Sequence, residues 1–286
     1  MKLHQGLRSG FHLGALGFGL LLTVGSATEV LENRIGRFDP SRDLFLAHFD
    51  SKTDVDDLHS IAGVATVLAD PRFAKVNFHA VAGAYGVQDG LYVPSNELFE
   101  LAFGSQWSDA HNAYDEALQQ VFGKVERTLK QGGSIWIAEA GQSDFSADLA
   151  RRVLQYLPGV DLRERFHIVQ HSNWNEEVTD AEDLQFVQTH TAYQKIPDGN
   201  GFNNGTPGFR DPNWIDWKSY IKDARLTEIW EMALEIANRY NAAEGRYLNT
   251  AIQEGGMDFS DVVETCWIFG FEALPDAEAF FKEFAQ

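Results

Sequence analysis

Apolar residues along the chain fall into short runs that alternate with longer amphipathic stretches. LFLAHF (44–49) is followed by a helical pattern, DDLHSIAGVATVLAD (56–70), and VNFHAVAG (76–83) by PSNELFELAFG (94–104). SIWIAEAG (134–141) leads into FSADLARRVLQYLP (145–158), and FHIVQHS (166–172) into a segment from about 180 to 193. Four strand-then-helix units predict an α/β fold, a Rossmann-like open and mainly parallel sheet with helices on both faces. Without an internal repeat or a low-complexity linker, residues 28–286 read as a single α/β domain.

The rhythm breaks at IPDGNGFNNGTPGFRDPNWIDWKSY (196–220), which is dominated by Gly, Asn and Pro. So long an irregular segment in a compact domain predicts a functional loop, and its aromatics argue against disorder. Trp214, Trp217, Phe202 and Phe209 are candidates for stacking on a base or sugar, with core packing as the alternative. A helix, ARLTEIWEMALEIANRYNAAE (224–244), and a last element, FSDVVETCWIFGF (259–271), follow.

The N-terminus changes the picture of where the protein works. Lys2 and Arg8 precede an apolar stretch, Leu13 to Val24, and Gly25-Ser26-Ala27 offers a small-residue cleavage site. This predicts a signal peptide over 1–27 and a secreted or periplasmic protein, the apolar stretch being short for a membrane span. No membrane association is expected after cleavage. A net charge of −19 disfavours nucleic acid as a partner, because phosphates would be repelled. Cys266 is the sole cysteine, so no intrachain disulfide forms, and within CWIFGF it reads as a small buried hydrophobe.

In an open parallel sheet, ligands bind outside the carboxyl ends of the strands. Those ends carry Asp50, Asp54, Asp56 and Asp57 after the first run, then Gly83-Ala84-Tyr85-Gly86, Gly141-Gln142-Ser143-Asp144, and His171, Ser172, Asn173 and Asn175. Carboxylates this close cannot all ionise in a dry site without a counter-charge. A hard cation such as Ca²⁺, which takes six to eight oxygens, meets that need. The spacing DxxxDxDD is not an EF-hand. One Asp would serve as a helix cap, but four exceed that requirement. His171 ends a strand at the rim, and its pKa range suits a leaving-group acid. His48 and His59 flank the acidic cluster, where a structural role is the commoner one.

DSKTDVDD (50–57) after a strand resembles the N-terminal signature of the nucleoside hydrolase (inosine–uridine preferring) superfamily, DTDPGxDD. In family order, AVAGAYG with Asn96, IWIAEAGQSDFSADLARRV, IVQHSNWNEEVTDAEDLQFV and EGGMDFSDVVETCWIF resemble later segments, together spanning about residues 44–270. The resemblance implies a glycosidase that cleaves an N-ribosyl or related bond, with one Ca²⁺ gripping the ribose diol and an aspartate activating water. By position, Asp57 would be a bidentate ligand, Asp261 the returning ligand and Asp56 a sugar-hydroxyl acceptor. Asp50 and a carbonyl or hydroxyl near Ser143 or Asp144 would complete the shell. Asn173 and Asn175 would face the sugar, with Tyr85, Lys52 and Trp214 as further substrate contacts.

The departure is Lys52, which stands where the family has its base and metal-ligating aspartate. Asp54, at the family's glycine, supplies the missing carboxylate and base, or the Lys52 ammonium sits among the carboxylates in place of Ca²⁺. The first reading gives a hydrolase of a small nucleoside or sugar. The second gives an altered site or a non-catalytic carbohydrate-binding module, and a metal-dependent phosphoesterase is a third possibility. The sequence leaves the substrate, the leaving group and any homo-oligomer open.

Overall fold

The computed structural model describes residues 34–214 and 216–285, and the expected signal peptide lies outside them. The described residues fall in one compact unit. In chain order its strands are β1 (Leu44–Phe49), β2 (Asn77–Ala82), β3 (Trp107–Asp109), β4 (Ile135–Ala140), β5 (Phe166–Gln170), β6 (Ala192–Lys195), β7 (Arg210–Asp211) and β8 (Met257–Asp258). The helices are α1 (Asp56–Ala69), α2 (Asn96–Phe103), α3 (Tyr114–Lys130), α4 (Asp144–Tyr156), α5 (Leu162–Arg165), α6 (Asn173–Val178), α7 (Ala181–His190), α8 (Ala224–Tyr240), α9 (Thr250–Gln253), α10 (Val263–Phe269) and α11 (Ala277–Phe284).

β1 to β6 form one sheet in the order β3-β2-β1-β4-β5-β6, with parallel pairing throughout. This is the open α/β, Rossmann-like architecture expected from the alternating runs. β1 and β4 are buried along their whole length, as strands covered on both faces must be. Alternate residues serve opposite layers. Phe45, Ala47 and Phe49 join one core with α1, α2, α8, α10 and α11, while Leu44 and Leu46 join a second with α3, α4 and β5. In the first core Trp230 of α8 is fully buried and donates from Nε1 to Thr66 Oγ1 of α1 at 2.9 Å.

The strand order reverses between β1 and β4, so the crevice for ligands opens there, beyond their carboxyl ends. Two features bring the chain close at this point. Gly141 adopts φ +129°, and a Cβ on it would lie 2.7 Å from Asp50 Cβ. The two-stranded pair β7–β8 aligns Arg210 with Asp258, and the Asp258 backbone N–H donates to His59 Nδ1 of α1 at 3.3 Å. That docking, with Phe259 stacked on Phe209 at 4.6 Å, carries the chain from β8 to Asp261 beside the start of α1.

The loop over 196–220 is split in use. Phe209 and Trp217 are core residues, and Trp214 packs on Phe281 of α11 and on Tyr220.

Candidate functional site

A cavity of about 400 Å³ opens at the β1–β4 switch point. Six aspartates line it: Asp50, Asp54, Asp56 and Asp57 from the β1–α1 connection, Asp198 from the loop after β6, and Asp261 from the turn before α10. Lys52, Arg210, His171, Asn175, Asn200, Trp174 and Tyr247 share the wall. The connection after β1 contains no glycine, so it offers no phosphate-cradling loop despite the dinucleotide-type strand order.

Local structure fixes each carboxylate. Asp57 is buried in the first turn of α1, and its Oδ2 accepts from the Ser51 backbone N–H at 2.5 Å. Its Oδ1 is buried with no hydrogen-bond partner. Asp50 accepts from the Lys52 backbone at 2.8 Å and from Gln142 Nε2 at 2.6 Å. Asp54 accepts from Val55 N–H at 2.6 Å, and Asp261 Oδ2 from Ser60 Oγ of α1 at 3.1 Å. Gly63 of α1 permits this last approach, since a Cβ there would lie 2.7 Å from Val262 Cγ2.

Burial and mutual repulsion act on the whole set. Burial lifts the pKa of Asp50 and of Asp54 to about 6, against the hydrogen bonds each accepts. Asp56 and Asp57 are raised well above the ordinary range, first by burial and then by neighbouring carboxylates, with Asp261 acting on both. Asp261 rises to about 8 through burial, with His171 pulling the other way.

His171 is the cationic complement. Its backbone N–H and its Nδ1 both engage Glu264 Oε1 of α10, at 2.9 and 2.5 Å. The ring is thereby held with Nε2 3.8 Å from Asp261 and 3.9 Å from Asp198. Burial opposes a charged imidazole, but Glu264, Asp261 and Asp198 outweigh it and raise the pKa to about 9.

The Lys52 ammonium feels the charges of Asp50 and Asp89. It donates to the Gln88 carbonyl and lies 4.1 Å from the centre of the Tyr85 ring. Among the described residues no ion pair joins Lys52 to Asp57 or Asp261. Gln88, from the loop after β2, is tied down in turn by Lys52 and Gln142.

The residues expected from the sequence therefore divide. Asp50, Lys52, Asp54, Asp56, Asp57, His171, Asn175 and Asp261 come together on the cavity wall, although Asp57 and Asp261 are two hundred positions apart. Ser143 does not line it: its hydroxyl donates to Glu139 at 2.6 Å and its carbonyl accepts from Ala147 inside α4. Asn173 is exposed and accepts from Lys195 at 3.3 Å. Tyr85 stands behind Lys52 with its hydroxyl 2.6 Å from His111 Nδ1, and Trp214 faces α11. Residues that the motif reading passed over are Glu264, Asp198, Asn200, Arg210, Trp174 and Tyr247. A lone glutamate in the apolar run VVETCWIF was the signal for Glu264.

The donor set suits a hard cation. It consists of oxygens, it carries mutually destabilising charge, and Asp57 Oδ1 lacks a partner. Among the described residues no group of three or more His, Cys, Asp or Glu stands ready as a metal cage, so the carboxylates would have to draw together around an ion.

Comparison of the chain with protein-family models, with curated proteins and with solved structures gives no match.

Proposed function

We propose that this protein is a divergent nucleoside hydrolase-like glycosidase that hydrolyses an N-ribosyl or related glycosidic bond in an exported setting. The observation that carries the reading is the convergence of Asp50, Asp54, Asp56 and Asp57 with Asp261 and His171 in one cavity at the sheet's switch point. Asp57, Asp261 and Asp50 would hold Ca²⁺. When bound, the cation supplies charge neutralisation and lowers the pKa of a coordinated water.

The chain's own groups account for the rest. Asp54 lies on the cavity wall with a pKa near 6, and as a carboxylate it can take a proton from water near neutral pH. Asp56 accepts a sugar hydroxyl, and Asn175, fixed by its 3.0 Å bond to Gln170 Oε1, presents its carbonyl oxygen to another. The carboxylates favour the positive charge that develops on the ring as the bond to the leaving group stretches. His171, oriented by Glu264, holds a proton on Nε2 for a leaving nitrogen. The engagement of Lys52 by Gln88 and Tyr85 supports a cation site over a lysine-filled one.

The test is thermal unfolding of the full chain with calcium and with chelator. Calcium should raise the Tm by mass action, and Asp57→Ala should abolish the rise. If the wild-type Tm responds to no divalent cation, the cation-dependent hydrolase gives way to a carbohydrate-binding module on the same scaffold.

A further inference from the structure

A second, smaller pocket of about 120 Å³ opens at the amino ends of β1 and β2, the sheet edge opposite the acidic cavity. Three elements build it. The turn before β1 contributes Arg42 and Asp43, β2 contributes Asn77, and the C-terminal half of α3 contributes Lys124 and Arg127. Its charge is the reverse of the chain's: three cations meet one carboxylate, in a protein of net charge −19. That carboxylate is already committed. Asp43 accepts from the backbone N–H groups of Asp39 and Ser134 at 3.0 and 2.8 Å and from Trp136 Nε1 at 3.1 Å, with Arg42 Nε 3.9 Å away. Arg42 pairs with Asp39 at 3.0 Å. Glu126, between Lys124 and Arg127 in sequence, pairs with Lys130 at 2.8 Å. Lys124 Nζ donates to the neutral Gln106 Oε1 at 3.1 Å, and among the described residues neither Lys124 nor Arg127 forms an ion pair. Residues three apart on a helix are neighbours, and like charges there repel. Burial and then the Arg127 charge lower the pKa of Lys124. The helix dipole favours a cation in the last turn, which accounts for Arg127, but its effect has faded at Lys124, nearly two turns from the end of α3.

We propose that this pocket binds a phosphate-type dianion. Two unpaired cations set the charge of the ligand. The volume equals that of roughly four waters, which admits a tetrahedral oxyanion and leaves the remainder of any larger ligand outside. Arg127 offers a guanidinium fork and Lys124 a compact point charge, both suited to phosphate oxygens, while Asn77 adds an uncharged amide donor at the start of β2. A bound dianion relieves the Lys124–Arg127 repulsion that the fold otherwise leaves standing. The site is separate from the acidic cavity and independent of the glycosidase reading. Free phosphate and the headgroup of an anionic lipid offer the same chemistry.

The experiment is calorimetric titration of the full chain with inorganic phosphate and with acetate, in chelator at physiological ionic strength. Phosphate should bind saturably at one site, and acetate at least tenfold more weakly. Lys124→Gln and Arg127→Gln, at half-buried and exposed positions, should each weaken phosphate about tenfold, as loss of a charged hydrogen bond does, while Lys130→Gln changes little. Sedimentation with phosphatidylcholine vesicles, with and without phosphatidic acid, distinguishes the sources. Retention on the acidic vesicles alone, lost in the double variant, assigns the phosphate to a lipid headgroup; phosphate binding without vesicle retention assigns it to a soluble anion. Absence of saturable phosphate binding overturns the proposal, as does phosphate binding that the Lys124→Gln, Arg127→Gln double variant retains.

Discussion

Replacing Glu264 by Gln should destabilise the protein in a pH-dependent manner. Glu264 is fully buried, and one of its oxygens takes both the backbone N–H and Nδ1 of His171. Glutamine keeps an acceptor for the backbone donor but removes the charge. The groups facing the imidazole are Glu264 from α10, Asp261 from the turn before it and Asp198 from the loop after β6. They raise the His171 pKa from 6.5 to about 9. A group raised above its unfolded pKa contributes stability that is fully present below the unfolded value and lost as pH rises through the folded one. The contribution is therefore whole below pH 6.5 and gone above about pH 9. A shift of that size corresponds to roughly 3 kcal/mol, or roughly 6–12 °C in Tm for a domain of this size. Glu264 supplies the largest favourable part, so Glu264→Gln should lower Tm by several degrees at pH 6 and by much less at pH 9.5. Scanning calorimetry at the two pH values is the assay. An equal Tm deficit at both would refute the account of His171 as a cation held by Glu264.

Three further outcomes follow from the same geometry. Asp57→Asn should raise Tm in chelator, since it relieves repulsion while an amide oxygen still accepts from Ser51, and it should remove the response to calcium; a lower Tm in chelator would count against the repulsion. In chelator the wild type should lose stability as pH rises from 5 to 8.5, because Asp50 and Asp54, raised to about 6, and Asp261, raised to about 8, must then ionise against one another. Calcium should flatten that slope in a pH series of melts. Gly63→Ala should destabilise by about 1–3 kcal/mol despite the better helix propensity of alanine, because its Cβ meets Val262 at 2.7 Å. It should also blunt the calcium response by displacing Asp261, both effects being readable from urea melts with and without the ion.

Much of the frame was legible because parallel strands must be apolar on both faces. LFLAHF, IWIAEA and FHIVQ stand out as runs, and the helices expected from 56, 94 and 145 begin within two residues of those positions, whereas α3, between β3 and β4, was not expected. β3 is three residues long, and β6, AYQK, is a half-exposed edge, so neither leaves a hydrophobic signature. The helix expected over 224–244 stops at Tyr240, where Ala242 and Glu244 take left-handed φ values that composition does not announce. The acidic cluster was legible for a topological reason: once the strands are parallel, Asp50–Asp57, Gly141 and His171 must share an edge. Trp214 was not, because its partner Phe281 lies far along the chain in α11. Nor was Ser143, whose hydroxyl answers to Glu139, a buried glutamate four positions earlier inside β4. Glu264 needed the rotation of α10 to show that it backs His171 rather than entering the cavity.

Hydrolysis of a ribonucleoside panel in ¹⁸O-labelled water, with calcium present, tests the central claim most directly. The account predicts free ribose labelled at its anomeric oxygen, an unlabelled base in equal amount, and loss of both products when Asp57→Ala is used as folded protein. Intact nucleosides after prolonged incubation with folded wild-type protein, with or without calcium, would contradict it.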